Sequence, residues 1–282
     1  MRKLRSLTLV SITIVSLTLT SCLSSLRGQD LKGGSQLIVE LQETPSVPKI
    51  NERELDAVIR VVEGRIKGLG ISEAVVQKTK AKNQILVQLP GIKDPTQAIR
   101  VLGSTAQLEF KKQKLNDNTQ LFTLQASRNE LKVKLQEAQT SKDAAAIAKN
   151  QKALQNNSKA IAQLFESTNP PLTGRYLKDA YGEPTQGNGW EIAIRFNQQG
   201  GDLFTALTKE TAGTGRAIGI FLDNELISSP IVAAQYATTG ITGGTAVITG
   251  RFNATDANDL SVQLRGGALP VPVKVKVVNS GS

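Results

Sequence analysis

The sequence predicts an α+β fold: two ferredoxin-like β-α-β-β-α-β units with a helical hairpin inserted between them. Three observations carry this reading. The order strand, helix, strand, strand, helix, strand is legible between Ser35 and Gln113, and legible again between Trp190 and Val278. Between the two passes the composition changes, losing Gly and Pro and gaining Gln, Lys, Ala and Asn.

In the first pass, "SQLIVELQ" alternates as a strand. "NERELDAVIRVVEGRIKGLG" follows as a helix, with Asn51 as N-cap and Glu54 three residues on. Leu55, Val58, Ile59, Val62, Ile66 and Leu69 form its apolar stripe, and Gly68 and Gly70 end it. "ISEAVVQKTK" and "NQILVQLP" read as two strands. "DPTQAIRVLG" reads as a helix capped by Asp94 with Pro95 in its first turn, and "AQLEFKKQ" completes the unit.

From Lys111 to Thr168 the chain should be helical. Leu124, Leu131 and Ala138 fall seven apart, as do Ile147, Leu154 and Ile161, and "QTSKD" interrupts the two series near Thr140. This predicts an antiparallel hairpin whose arms bury one apolar seam against each other, leaving long polar faces to solvent or to a partner. The second pass runs through strand "WEIAIRF", helix "GDLFTALTKETAG", strands "RAIGIFL" and "LISSPIV", the latter extended by "TAVITGRF", helix "ATDANDLSVQLRGG" and strand "VPVKVKVV". The chain therefore divides into an N-terminal segment over 1–22, a first unit over 30–112, the hairpin over 113–168 and a second unit over 169–278.

Composition narrows the function. The 282 residues include no histidine, which removes the usual general base, the usual zinc ligand and every Ser/His or Cys/His nucleophile. A single cysteine, Cys22, excludes an intrachain disulfide and multi-cysteine metal sites. No enzyme, cofactor or metal is expected. The formal charge of +10 is spread rather than clustered, which argues against nucleic acid. It suits either ordinary solubility or a position near anionic lipid head groups.

At the N-terminus Arg2, Lys3 and Arg5 precede an apolar run from Leu7 to Leu19, and "LTSC" is similar to the lipobox of bacterial lipoproteins, with Cys22 as the lipidated residue. The alternative is an uncleaved signal anchor continuing to Leu26. Both place the rest of the chain outside the cytoplasm on a membrane.

"FLDNELISSPIV" sets Asp223-Asn224-Glu225 between apolar runs, and is expected as a three-residue hairpin turn rather than a carboxylate site. "GITGGT" from Gly240 lacks the lysine and helix of a phosphate loop and is expected as a mobile connection. Asp256 and Asp259 sit at a helix start, where the macrodipole favours them. Gly33 and Gly34, ahead of the first strand, are expected at positions needing positive φ or close backbone approach.

Read in order, "DLKGGSQL", "VQLPGIKDPTQAIRVLGSTAQLEF", "LTGRYLKDAYGEP", "FLDNELISSP" and "LRGGALPVP" give a chain that resembles SecD, a membrane subunit of the bacterial Sec protein-export machinery. Asp30, Leu31, Lys32, Gly33 and Gly34 look like that family's glycine-pair motif. Arg265, Gly266, Gly267, Leu269 and Pro270 belong to the last of these stretches. The resemblance implies a first extracytoplasmic domain with a base and a movable head that holds emerging polypeptide on the periplasmic face of the cytoplasmic membrane. It implies unfolded or translocating polypeptide, the Sec translocase membrane subunits including SecF, and the lipid membrane as partners. SecD proteins continue into membrane helices whose charged residues carry protons, and no residue here is expected in that role. The alternative is a scaffolding lipoprotein that keeps the fold without export.

Overall fold

A computed structural model describes residues 33–115 and 118–280. Among the described residues eleven strands build three antiparallel sheets. The helices fall where the sequence places them, but two strands do not: Phe165–Thr173, whose first residues are expected to be helical up to Thr168, and Leu177–Pro184, which is not expected as a strand. The first sheet has the order β11-β1-β3-β2, from β1 (Ser35–Leu41), β2 (Val75–Lys78), β3 (Gln84–Leu89) and β11 (Val273–Ser280). In β1 the residues Ser35, Leu37, Val39 and Leu41 are buried and their neighbours half-buried, the period-two alternation of a strand with one covered face. The cover is helix α1 (Glu52–Gly68) with α2 (Thr96–Gly103). Asn51 caps α1, accepting from Arg53 N at 2.8 Å, while Glu54 accepts from Asn51 N at 3.0 Å, so the capping box is complete. Asp94 accepts from the Thr96 N–H at 2.9 Å at the start of α2.

The two units do not close as separate sheets. Strand β4 (Leu108–Gln113), expected to complete the first, instead pairs with β5 (Phe165–Thr173) and β8 (Ile218–Leu222). With β9 (Glu225–Ser228) these make a sheet of order β5-β4-β8-β9. The last strand among the described residues, β11, takes the vacated place beside β1. The reason lies in the buried residues: Leu108 and Phe110 enter the second core, while Leu269 and Val271, just ahead of β11, enter the first. The segment "TAVITGRF" is likewise no extension of β9. It forms β10 (Thr245–Phe252) in a third sheet, order β10-β7-β6, with β6 (Leu177–Pro184) and β7 (Trp190–Phe196). Pro230 lies past the end of β9; beyond it Ile231 forms an isolated bridge to Ala217, and the Pro230 carbonyl accepts from Ile218 N at 2.8 Å.

The hairpin consists of α3 (Asn118–Thr140) and α4 (Ala144–Gln163), turning at Ser141–Asp143. Leu121 and Ala138 on α3 and Asn157 and Ile161 on α4 are buried along its seam. Its root goes further than self-burial. Leu121, Ile161, Leu164 and Phe165 pack with Ala217, Phe221 and Leu226 on the face of the β5-β4-β8-β9 sheet turned away from the second core. Phe165 and Phe221 meet edge-on with centroids 5.2 Å apart.

Helix α5 (Gln198–Thr211) lies in the second core, where Phe204 stands 5.4 Å from Phe196 and 6.2 Å from Phe110. Helix α6 (Ala254–Gly266) is buried on two sides: Ala257, Leu260 and Leu264 face the second core, and Val262 reaches α1. A Cβ at Gly68 would stand 2.8 Å from Val262 Cγ1, so only glycine permits this crossing. Asp259 joins α6 to α2, accepting from Gln97 Nε2 and Arg100 Nε, both at 2.9 Å.

Candidate functional site

The Asp223-Asn224 turn is shorter than expected. Leu222 pairs with Glu225, and φ is +51° at Asp223 and +66° at Asn224, a two-residue type I′ connection. The Asp223 carboxylate accepts from Gln107 N at 2.8 Å and Ala106 N at 3.1 Å, fixing the entry to β4. Its role is therefore structural, and among the described residues no group of three or more metal-ligating side chains exists.

The glycine pair divides its work. Gly33 has φ of +72°, and a Cβ at Gly34 would lie 2.6 Å from the Leu89 carbonyl oxygen, so the entry to β1 runs against the end of β3. Asp30, Leu31, Lys32 and Cys22 lie outside the described residues. In the second motif Arg265 donates to the Ala180 carbonyl and lies over Tyr181, 5.9 Å from the ring centroid. Gly267 has φ of +89° just past α6, Leu269 is buried and Pro270 exposed.

Sequence reasoning missed Arg65. It is fully buried, and its guanidinium donates to Val101 O and Gly267 O at 2.8 Å each and to Ser104 O. A Cβ at Gly266 would come within 2.5 Å of Arg65 Cγ, which accounts for the first glycine of that pair. One cation thus ties the end of α2 to the end of α6. The sequence did carry a signal: Arg65 falls seven residues after Val58 and three after Val62, on the buried stripe.

The feature suited to binding lies where two sheets meet. β9 and β10 are each the edge strand of their sheet, and they approach until the Ser228 and Thr249 hydroxyls stand 3.5 Å apart. Beside this contact opens an apolar cleft of about 400 Å³ with Phe110, Phe204, Ile218 and Ile220 in its lining. Ile231 and Val247, also in the lining, remain 57 % and 45 % exposed. The glycine loop from Gly240, expected to be mobile, is fastened instead. Ile241 N donates to Thr208 Oγ1 at 2.8 Å, and Thr205 Oγ1 donates to Ile241 O at 2.9 Å. Positive φ at Gly240, Gly243 and Gly244 lets it follow α5 so closely that a Cβ at Gly240 would stand 2.2 Å from the Thr205 carbonyl. Ile241 thereby becomes part of the cleft wall. The cleft is lined mostly by apolar side chains, with Thr208 and Tyr236 among them.

Among the described residues no helix is long and apolar enough to cross a membrane. The profile of the family described as "SecDF, P1 head subdomain" matches residues 146–271, and that described as "Protein translocase subunit SecDF, P1 domain, N-terminal" matches 55–115. The protein translocase subunit SecD of a Synechocystis species is 46% identical over 253 residues, covering 88% of this chain and 53% of that protein. That of Prochlorococcus marinus is 38% identical, covering 90% of this chain and 56% of that protein. The chain thus spans about half the length of these relatives. A crystal structure of SecDF in a super-membrane-facing form superposes with a TM-score of 0.60 at 26% identity, over 89% of this chain and 30% of that one. A structure described as that of a membrane component SecDF that enhances protein export gives a TM-score of 0.60 at 25% identity, over 86% of this chain and 99% of that one.

Proposed function

Because the chain belongs to the SecD family of protein-translocase subunits, we propose that it takes part in protein export by holding extended polypeptide in the apolar cleft between β10 and the segment from Pro230 to Ala233 that follows β9. In this reading the first sheet with α1 and α2 is the base and the other two sheets are the head. The domain works at the extracytoplasmic face of the bacterial cytoplasmic membrane, tethered through its N-terminus, beside translocase membrane subunits including SecF. Cys22 is the lipidated residue if the tether is a lipoprotein anchor. The work is binding, with no covalent step.

One observation carries the proposal: apolar side chains as exposed as Ile231 and Val247 flank a cleft beside the free edge of β10. Unpaired backbone on such an edge accepts an added strand through main-chain bonds that are indifferent to cargo sequence, while the apolar walls remove side chains from water. A second reading, a scaffold without export, finds support on the hairpin, where Phe122 and Val133 are 67 % and 57 % exposed.

Photo-crosslinking separates the two. Probes at Ile231, Val247, Phe122 and, as control, the exposed Val277 of β11 would be placed singly in the full chain and offered an arrested, unfolded precursor. The expected result is adducts at Ile231 and Val247, reduced about tenfold by Val247→Asp in the Ile231-probe protein. Cleft adducts no stronger than at Val277 would sink the reading, and adducts confined to Phe122 would favour the scaffold.

A further inference from the structure

Strand β10 runs past two hollows of opposite character. Thr245 to Val247 line the apolar cleft, while Gly250 to Phe252 line a second hollow of about 390 Å³ between β9 and the root of α3. Three cations, Arg128, Lys132 and Arg251, face this second hollow against one carboxylate, Glu225. Glu225 is already engaged by Arg128. Arg128 is only 6 % exposed, donates through Nη1 to Leu226 O at 2.7 Å, and keeps a buried Nε with no hydrogen-bond partner. Lys132 and Arg251 are exposed and form no ion pair among the described residues.

We infer that this second hollow is a carboxylate subsite of the polypeptide cleft, taking an acidic side chain about two to three residues from the apolar residue seated beside Val247. The inference rests on the cleft reading and adds a preference to it. Its spacing comes from β10 and its partner strand: Val247 pairs with Ala193 and Phe252 with Trp190, so the stretch from Val247 to Arg251 spans only about two to three residues of a regular neighbouring strand, roughly 7–10 Å. A regular segment added to the free edge keeps that shorter interval between its apolar and acidic residues.

The ladder is bent where this matters. Ile248 pairs with Ile192 but the next partners are Phe252 and Trp190, so Thr249 to Arg251 bulge out of register. A bulge ends regular pairing and re-aims side chains, and here Arg251 lines the same hollow as α3. With Glu225 neutralising Arg128, the positive charge left over is that of Lys132 and Arg251, which attracts a carboxylate and repels a lysine. The hairpin thus supplies two of the three cations.

The test uses the full chain and three fluorescent extended peptides. They share one apolar anchor and carry Asp, Asn or Lys at two and three residues on either side of it. At low salt the Asp peptide is expected to bind about three- to tenfold more tightly than the Asn peptide and the Lys peptide more weakly, with the differences shrinking in 0.5 M salt. The double variant Lys132→Glu/Arg251→Glu, on exposed side chains, is expected to reverse the order. Three peptides of equal, measurable affinity overturn the subsite and leave the cleft standing. Absence of binding by all three overturns the cleft and the subsite with it. If the double variant melts early, the salt dependence of the unmodified protein decides.

Discussion

Arg65 shows how a single residue organises this molecule. Burial lowers its pKa to about 10, opposed by the nearby Asp223 carboxylate, so it remains a cation at neutral pH. The sign follows: a folded pKa below the ordinary guanidinium value means that the charge itself costs stability below about pH 10, a cost relieved only above it. What Arg65 contributes is therefore its set of hydrogen bonds to the carbonyls of Val101, Ser104 and Gly267. Arg65→Met keeps the stem but leaves those carbonyls without their donor in a dry site, and is expected to destabilise by about 3–5 kcal/mol in chemical denaturation. A change below about 1 kcal/mol would mean that water replaces the guanidinium and that the linkage is dispensable. Much at this scale was legible: the Asn51 box, the Gly33-Gly34 pair and the turn at Asp223 follow from local chemistry. Arg65 was hidden because its partners lie 36 or more residues away in sequence.

The hairpin is the element whose sequence said most and whose packing said something more. Its seam and its turn were legible in the heptad spacing, since each arm buries residues against the other. Its attachment was not, because the surface that receives it comes from β8, where Ala217 and Phe221 read only as part of an apolar strand. The cleft escaped for the same reason. Val247 and Ile231 read as ordinary strand residues, but β10 is the edge of its sheet and Ile231 lies past the end of β9. The two halves of the hairpin should then differ in importance. Asn150 Nδ2 reaches Lys134 O, so replacing residues 135–149 by a short Gly-rich turn keeps the root intact, and the melting temperature is expected to move by no more than about 2 °C. Removing 118–163 strips Leu121 and Ile161 from Phe221, two buried side chains worth about 1.5–3 kcal/mol each, and should lower stability by about 3–6 kcal/mol. Equal stability of the two deletions would show that the root does not hold the sheet.

Across the whole molecule, the terminal strands of the two passes are exchanged. β4 serves the second core and β11 the first, while α6 stands between the layers, touching both. Period-two alternation states which residues of a strand face inward but not which sheet receives it, and "VKVKVV" suits either edge. The architecture was thus legible in most of its element order, though not in β5 and β6, and it was not legible as a closure. The closure joins the first and the last strand among the described residues: β1 pairs with β11 from Leu41↔Val273 to Ser35↔Ser280. A chain ending at Pro272 would leave β1 with an open edge and remove Val273 and Val275 from the first core. It would leave the β10-β7-β6 and β5-β4-β8-β9 sheets fully paired. Hydrogen exchange on that truncation is expected to show protection lost in β1, β3 and α1 while β7, β8 and α5 keep theirs, the mark of two layers that open independently. If β1 and α1 stay as protected as in the full chain, the first sheet closes without β11 and the strand exchange is incidental. If β7 and α5 open as well, the link through α6 and Arg65 is strong enough to make the layers one cooperative unit.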